Sequence, residues 1–324
     1  MSVGVGVIGT GVMGAEHVRL LKHETPGAHL AGVFDADAAR AQAVAAGATV
    51  FPDPRALIAS ERVDAVVIAA PDAAHAELAL LCLEAGKPAL CEKPLAASTE
   101  EALRVVEREV GLGRRLIQVG YMRRFDAGYQ EMKRLKDEGA IGDVVLLHNV
   151  HRNARAPDWF IGAMALTNSF VHEIDVSRWL TGSQMVSARV AAAPGGDPLV
   201  ITMTTDRGEI VSTEVFMNAG YGYHVHAELV GRCGVVALAP PALTLLNRDR
   251  RGGLAFPDNW VPRFADAYRR QMTAWVGAVK TGGAVGASAW DGYLASAIAE
   301  AVAAPMAAGG EAKLDCGARP SLYA

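Results

Sequence analysis

The chain lacks the features that mark several large classes of protein. Its four cysteines, Cys82, Cys91, Cys233 and Cys316, are widely separated and form no CxxC pair. That spacing excludes a cysteine-framed zinc module and fits reduced thiols. There is no surplus of charge of either sign: 31 Lys and Arg stand against 35 Asp and Glu, a formal net charge of -4. Neither nucleic acid nor an anionic membrane is therefore expected as a partner. Long apolar runs are missing too. Glu300 interrupts the Ala-rich stretch 293–309, and no charge-free segment approaches the ~20 apolar residues that span a bilayer. The opening MSVGVGVIGTG carries no basic leader, so a cytoplasmic location is expected. Internal repeats and long disordered tracts are not evident.

What the chain does have is material for a large core. With 324 residues, 51% of them hydrophobic, it suits two medium domains better than one small scaffold. Strand-like runs at 3–8, 29–34, 65–69, 89–91 and 116–119 alternate with helical runs at 12–22, 38–45, 76–83 and 101–110. Such alternation predicts a parallel sheet covered on both faces, here a nucleotide-binding domain over residues 1–120. Beyond it, strand-like runs at 143–150, 186–193, 199–205, 210–216 and 226–230 follow one another with few helices between them, and an Asp206-Arg207-Gly208 turn joins two of them. Residues 121–324 are thus expected to form an α/β domain with a largely antiparallel open sheet. Helical runs at 264–280 and 290–304 suit a cover for either domain.

Gly9-Thr10-Gly11-Val12-Met13-Gly14 is a GxGxxG pattern between a strand and a helix. The first glycine permits a tight turn, the second lets backbone approach a pyrophosphate, and the third lets helix pack on strand. The unpaired N–H groups at the helix start can hold the diphosphate. Asp35 ends the second strand, where a carboxylate can accept both ribose hydroxyls and repel a 2′-phosphate; its bland alternative is a cap on the next helix. With Ala36 following, no arginine stands next to it, and NAD is expected rather than NADP. Ala70 and Pro71 follow another strand and border the same cofactor, with His75 as a structural or edge contact.

Two groups carry alcohol chemistry. Lys93, in Glu92-Lys93-Pro94 at a strand's carboxyl end, can stabilise alkoxide character, while Glu92 orients it or caps the element. His172 lies in Asn168-Ser169-Phe170-Val171-His172-Glu173-Ile174-Asp175. If 168–180 is one α-helix, Asn168 and His172 share a face, and the imidazole suits a base near neutral pH. The HExxD spacing lacks the second histidine of the zinc pattern HExxH, so no metal is expected.

Taken together, VIGTGVMGAEH, CEKPLA, VGYMRRFDAGY, HRNA, NSFVHEIDVSRWL, YGYHVHAELVG and AWDGYLA resemble the oxidoreductase family that includes glucose-fructose oxidoreductase and the inositol dehydrogenases, its inositol 2-dehydrogenase branch above all. The resemblance covers essentially the whole chain. It implies an N-terminal Rossmann domain and a C-terminal α/β domain whose open sheet often makes oligomer contacts, commonly in a homotetramer. It assigns Gly9, Gly11, Val12, Met13, Gly14, Asp35, Ala70, Pro71, His75, Glu92 and Lys93 to NAD, and Lys93, Asn168 and His172 to catalysis. Arg124 and Asp126 are implied at the mouth of the site, with His151, Asn153, Trp159, Asn168, His172, Tyr221 and Tyr223 around a cyclic polyol or sugar. Myo-inositol is the expected substrate, and another inositol isomer or a pyranose is the alternative. A nucleotide-sensing regulator is the non-enzymatic alternative. One departure stands out: Asn168 occupies a place where the inositol dehydrogenases usually have Asp, so charge support for His172 is lost there.

Overall fold

All six residues of the first strand, β1 (Val3–Ile8), are buried, as a strand covered on both faces requires. The computed structural model describes residues 2–158, 160, 163–239, 244–304 and 310–324. The chain folds into two compact units: Met1–Met122 with Asp266–Ala297 and Ala318–Ala324, and Arg123–Ala265 with Ile298–Gly317.

In the first unit β1 is followed by β2 (Ala28–Phe34), β3 (Thr49–Val50), β4 (Ala65–Ile68), β5 (Ala89–Cys91) and β6 (Ile117–Val119). They run parallel in the order β6-β5-β4-β1-β2-β3, and the short strand Ala287–Ser288 adds antiparallel to β6. Because β1 has β2 on one side and β4 on the other, the chain changes direction there, and a crevice opens beyond the carboxyl ends of these strands. The connecting helices are α1 (Val12–His23), α2 (Ala38–Ala45), α3 (Pro54–Ala59), α4 (Asp72–Glu84) and α5 (Thr99–Leu112). Local chemistry sets their ends. Asp37 accepts from the Ala39 and Arg40 N–H groups to start α2, and Ser98 accepts from Glu101 N–H to start α5. Gly113 ends α5 in the left-handed region at φ 64°.

The core of this unit joins Val5, Val7, Val67 and Leu90 to Met272, Trp275 and Val276 from the helix Trp260–Thr281. Each such aliphatic side chain contributes about 1.5–3 kcal/mol on full burial. The carboxy-terminal residues are tied in by Glu109 of α5, which is fully buried. It accepts from Leu116 N–H and Ile117 N–H at 2.6 Å each and from Tyr323 Oη at 2.6 Å. Burial pushes this carboxyl above its usual range against the pull of those three donors.

The second unit has a mixed sheet: β7 (Val144–Arg152), β8 (Met185–Ala192), β9 (Leu199–Thr205), β10 (Ile210–Phe216), β11 (His224–Gly231), β12 (Val235–Ala237) and the strand Glu311–Lys313. The order is β12-β11-β7-β10-β9-β8 and then Glu311–Lys313. β7 and β10 are parallel, and the other pairings are antiparallel. Alternation along β7 buries Leu147, Asn149 and His151 and turns His148, Val150 and Arg152 to the other face. Two helices, α6 (Ala127–Asp137) and α7 (Val171–Thr181), belong to this unit, and Asn149 Nδ2 donates to Ser177 Oγ of α7 at 3.0 Å.

The expected continuous α-helix at 168–180 requires correction. Ala165–Phe170 is a π-helical turn, and the α-helix begins only at Val171. Wider i→i+5 turns of this kind occur often at functional sites, and here one carries Asn168. Among the described residues no helix is long and apolar enough to cross a membrane.

Candidate active site

A cavity of about 700 Å³ opens at the crevice of the first sheet. Its lining includes Gly9 and Gly11 after β1, Asp35 after β2, and Ala69, Ala70 and Pro71 after β4. The glycines divide the work as the pattern implies. Gly9 adopts φ +85°, and a Cβ there would stand 2.5 Å from the Ala69 carbonyl oxygen; a Cβ on Gly14 would stand 1.8 Å from that of Gly9. A Cβ on Gly11 would meet no described atom within 4 Å, so this position faces space that a ligand can fill. The helix behind it has no side-chain cap, which leaves the N–H groups of its first turn, from Val12 and Met13 onward, for an anion.

Asp35 is held in place before any ligand arrives. Oδ2 accepts from Thr10 N–H at 2.6 Å and Thr10 Oγ1 at 2.9 Å, and Oδ1 accepts from Asp37 N–H at 2.9 Å. Burial raises its pKa, but these donors outweigh burial and hold it below the usual carboxylate range. Helix capping of α2 falls instead to Asp37. Arg40, which the sequence reading passed over, lines the same cavity with Nη1 3.7 Å from Asp35 Oδ1. The glycine cradle, the anion-ready helix start and the carboxylate at the end of β2 fit a bound NAD.

His75 and Glu92 are both held by hydrogen bonds within the protein. His75 is buried, with Nδ1 2.6 Å from the Pro94 carbonyl and Nε2 2.8 Å from that of Ala70. Glu92 is buried with Oε1 2.8 Å from His17 Nε2. Lys93, next to Glu92 in sequence, is half-buried, and the Lys93–Pro94 peptide is cis.

The second unit gathers a second cluster. His172 at the start of α7 and His151 of β7 have ring centroids 6.4 Å apart, and Tyr223 stands edge-on to His151 at 6.0 Å. Burial pushes the Tyr223 phenol up to about 12, so it stays a neutral donor. Glu173, fully buried, pairs with Arg123 and accepts from His151 Nδ1 at 3.1 Å. Arg123 Nη2 also lies 3.4 Å from His151 Nδ1, but one nitrogen cannot both donate to the carboxylate and accept from the guanidinium; the shorter, charge-assisted bond wins. Nδ1 is therefore the nitrogen that donates to Glu173, which leaves Nε2 as the acceptor of a neutral ring. Asn153 Oδ1 is buried and finds no hydrogen-bond partner among the described residues.

Arg124 and Asp126 are engaged in structure. Arg124 makes a bidentate pair with Asp175 at 3.0 and 2.6 Å, and Asp126 caps α6 and accepts from Arg263 Nη1 at 2.8 Å. Tyr221 is not brought to the cluster. Its hydroxyl bonds Arg152 and His224, on the face of β7 opposite His151, and the ring is exposed. Trp159 lies outside the described residues. Among the described residues no group of three or more His, Cys, Asp or Glu side chains is arranged to hold a metal ion. His17, Arg40, Arg123 and Glu173 escaped the sequence reading; a charged side chain inside an apolar run, as in SFVHEIDV, was the available signal for Glu173.

A doubly wound sheet with this glycine turn and Asp35, followed by a second mixed-sheet unit, defines an NAD-dependent dehydrogenase of two-domain architecture. Residues 3–121 match the oxidoreductase family with an NAD-binding Rossmann fold, and residues 129–237 match the GFO/IDH/MocA C-terminal domain. The chain belongs to this family. It is 50% identical to inositol 2-dehydrogenase 1 of Saccharopolyspora erythraea, over 100% of this chain and 99% of the relative. It is 38% identical to inositol 2-dehydrogenase of Pseudomonas fluorescens, with 100% of both chains covered. Its structure superposes on myo-inositol dehydrogenase from Lactobacillus casei, solved in complex with NAD(H) and myo-inositol, with a TM-score of 0.96, 32% identity and 100% of both chains covered.

Proposed function

We propose that this protein oxidises one secondary hydroxyl of a cyclic polyol, and that its substrate is myo-inositol, converted to 2-keto-myo-inositol (scyllo-inosose). The observation that carries this reading is the commitment of the arginines beside the His151–His172 cluster. Arg123 is neutralised by Glu173, and Arg124 by Asp175 in a bidentate pair. A 2-hydroxy acid is best held by an arginine fork on its carboxylate. A neutral polyol needs donors and acceptors such as His151 Nε2, the Tyr223 hydroxyl and Asn153 Oδ1. The inositol dehydrogenases named above support the same substrate class.

Bound NAD supplies the hydride acceptor. His172 takes the hydroxyl proton, Lys93 stabilises the developing alkoxide, and Asn168 orients the imidazole or a neighbouring hydroxyl without adding charge. His151, its tautomer fixed by Glu173, accepts from a second ring hydroxyl. Asp35 selects the unphosphorylated ribose. The protein is further proposed to be a cytoplasmic homotetramer, which a mass measurement in solution tests.

Replacement of His172 or Lys93 by Ala tests the assignment. Each variant is expected to lose about 10²–10⁴ in turnover, and NADH titration by fluorescence is expected to give an unchanged Kd for the His172 variant. Near-normal turnover in both variants would withdraw the roles.

A further inference from the structure

Lys93 stands between two residues that are each gripped by a buried histidine from a different helix. Its predecessor Glu92 accepts from His17 Nε2 of α1 at 2.8 Å, and the carbonyl of its successor Pro94 accepts from His75 Nδ1 of α4 at 2.6 Å. Both imidazoles are 1% exposed. The Glu92 carboxylate is confined on its other sides too. Oε2 accepts from Lys93 N–H at 3.3 Å and lies where a Cβ on Gly120 would come within 2.8 Å. Tyr268 stands edge-on to the His17 ring at 6.2 Å. His17 Nδ1 is buried without a hydrogen-bond partner among the described residues, so the ring's described hydrogen bonding is directed to Glu92.

We propose that His17 is a positioning residue of the reaction: through Glu92 it fixes the turn that presents Lys93, tying that turn to the helix that begins at the dinucleotide glycines. His75 secures the same turn from the other side. The proposal rests on the role given to Lys93 above. Removing His17 leaves a buried carboxylate without its partner, and the carboxylate must move or take up a proton. Either response shifts the backbone that carries the ammonium, and a displacement of about 1 Å at a reacting group can cost as much as 10²-fold in rate.

The test compares wild type with H17L, H17Q, E92Q, H17L/E92Q, G120A and K93A. The measurements are kcat and KM for myo-inositol at saturating NAD, NADH Kd by fluorescence, and thermal unfolding. H17L is expected to lose about tenfold or more in kcat with KM and NADH Kd little changed. H17Q, which keeps an N–H near the place of Nε2, is expected to recover most of that loss. The double variant should be no worse than its weaker parent, because both changes break one link. G120A pushes Glu92 aside without touching His17 and should reproduce the kcat loss, which keeps the test decisive if H17L folds poorly. Normal kcat in H17L and G120A beside a crippled K93A overturns the positioning role alone. Normal turnover in K93A, or no polyol oxidation by wild type, overturns the reading beneath it as well.

Discussion

His151 donates through Nδ1 to the buried carboxylate of Glu173 at 3.1 Å, and Glu173 directly follows His172 in the chain. One carboxylate therefore sets the tautomer of one imidazole in the cluster while its own backbone belongs to the helical turn that carries the other. Burial drives the Glu173 carboxyl up, but Arg123 and His151 together bring it below the ordinary range. Its stabilising contribution is present above the unfolded carboxylate pKa and is lost as pH falls through the depressed folded value. Glu173→Gln, which leaves Arg123 buried without its counter-charge, should cost about 3–5 kcal/mol at neutral pH and flatten the acid side of the stability profile. Urea unfolding from pH 3 to 7 measures both; an unchanged stability at pH 7 contradicts the account.

Glu109 gives the opposite sign. Burial raises its carboxyl despite three donors, so its contribution is full below the unfolded pKa and is lost as pH rises through the raised folded value. Glu109→Gln should therefore gain on wild type as pH rises above the ordinary carboxylate range, the Gln amide retaining an acceptor for the Leu116 and Ile117 N–H groups. A stability difference independent of pH would show that the carboxyl titrates as it does in the unfolded chain.

Asp35 is fixed by Thr10 and Asp37 on the protein side and has Arg40 beside it. Asp35→Ser removes the charge proposed to bind the ribose hydroxyls and repel a 2′-phosphate, while Arg40 stays. Loss of a charge-assisted hydrogen bond is worth about 1.5–3 kcal/mol, so KM for NAD should rise about 10–100-fold. KM for NADP should fall in the same variant. Steady-state kinetics with each nucleotide checks this, and an unaltered NAD preference would assign the selectivity to other residues.

The first sheet was legible because its signals are local. Short apolar strands, a glycine turn and a carboxylate at a strand end each sit within a few residues, and the cavity forms where they predict. The catalytic candidates Lys93 and His172 were legible as residues. Their supports were not: His17 reaches Glu92 across 75 positions, and Arg123 reaches Glu173 across 50. No periodicity reports contacts of that separation. The π-turn at Ala165–Phe170 was missed because the i+4 spacing of Asn168 and His172 reads as α-helix when no tertiary packing is known. Tyr221 was grouped with Tyr223 through the YGYH resemblance, and its hydroxyl joins Arg152 and His224 on the far face of β7. α6 had no place in the strand-by-strand reading, although Asp126 caps it by accepting from Gly128 and Tyr129 N–H.

The central claim is that a neutral cyclic polyol is the hydride donor, and initial rates of NADH formation test it most directly. Purified protein at saturating NAD would be given myo-, scyllo- and D-chiro-inositol, D-glucose, D-xylose, D-galactose and a 2-hydroxy acid in turn, and kcat/KM compared. A site that pairs each ring hydroxyl rejects an epimer that leaves a buried group unpaired, so myo-inositol should lead the series by about 10-fold or more. A faster inositol isomer or pyranose would move the substrate within the same chemistry. Oxidation of the hydroxy acid alone would contradict the cyclic-polyol reading, which rests on Arg123 and Arg124 being paired with Glu173 and Asp175.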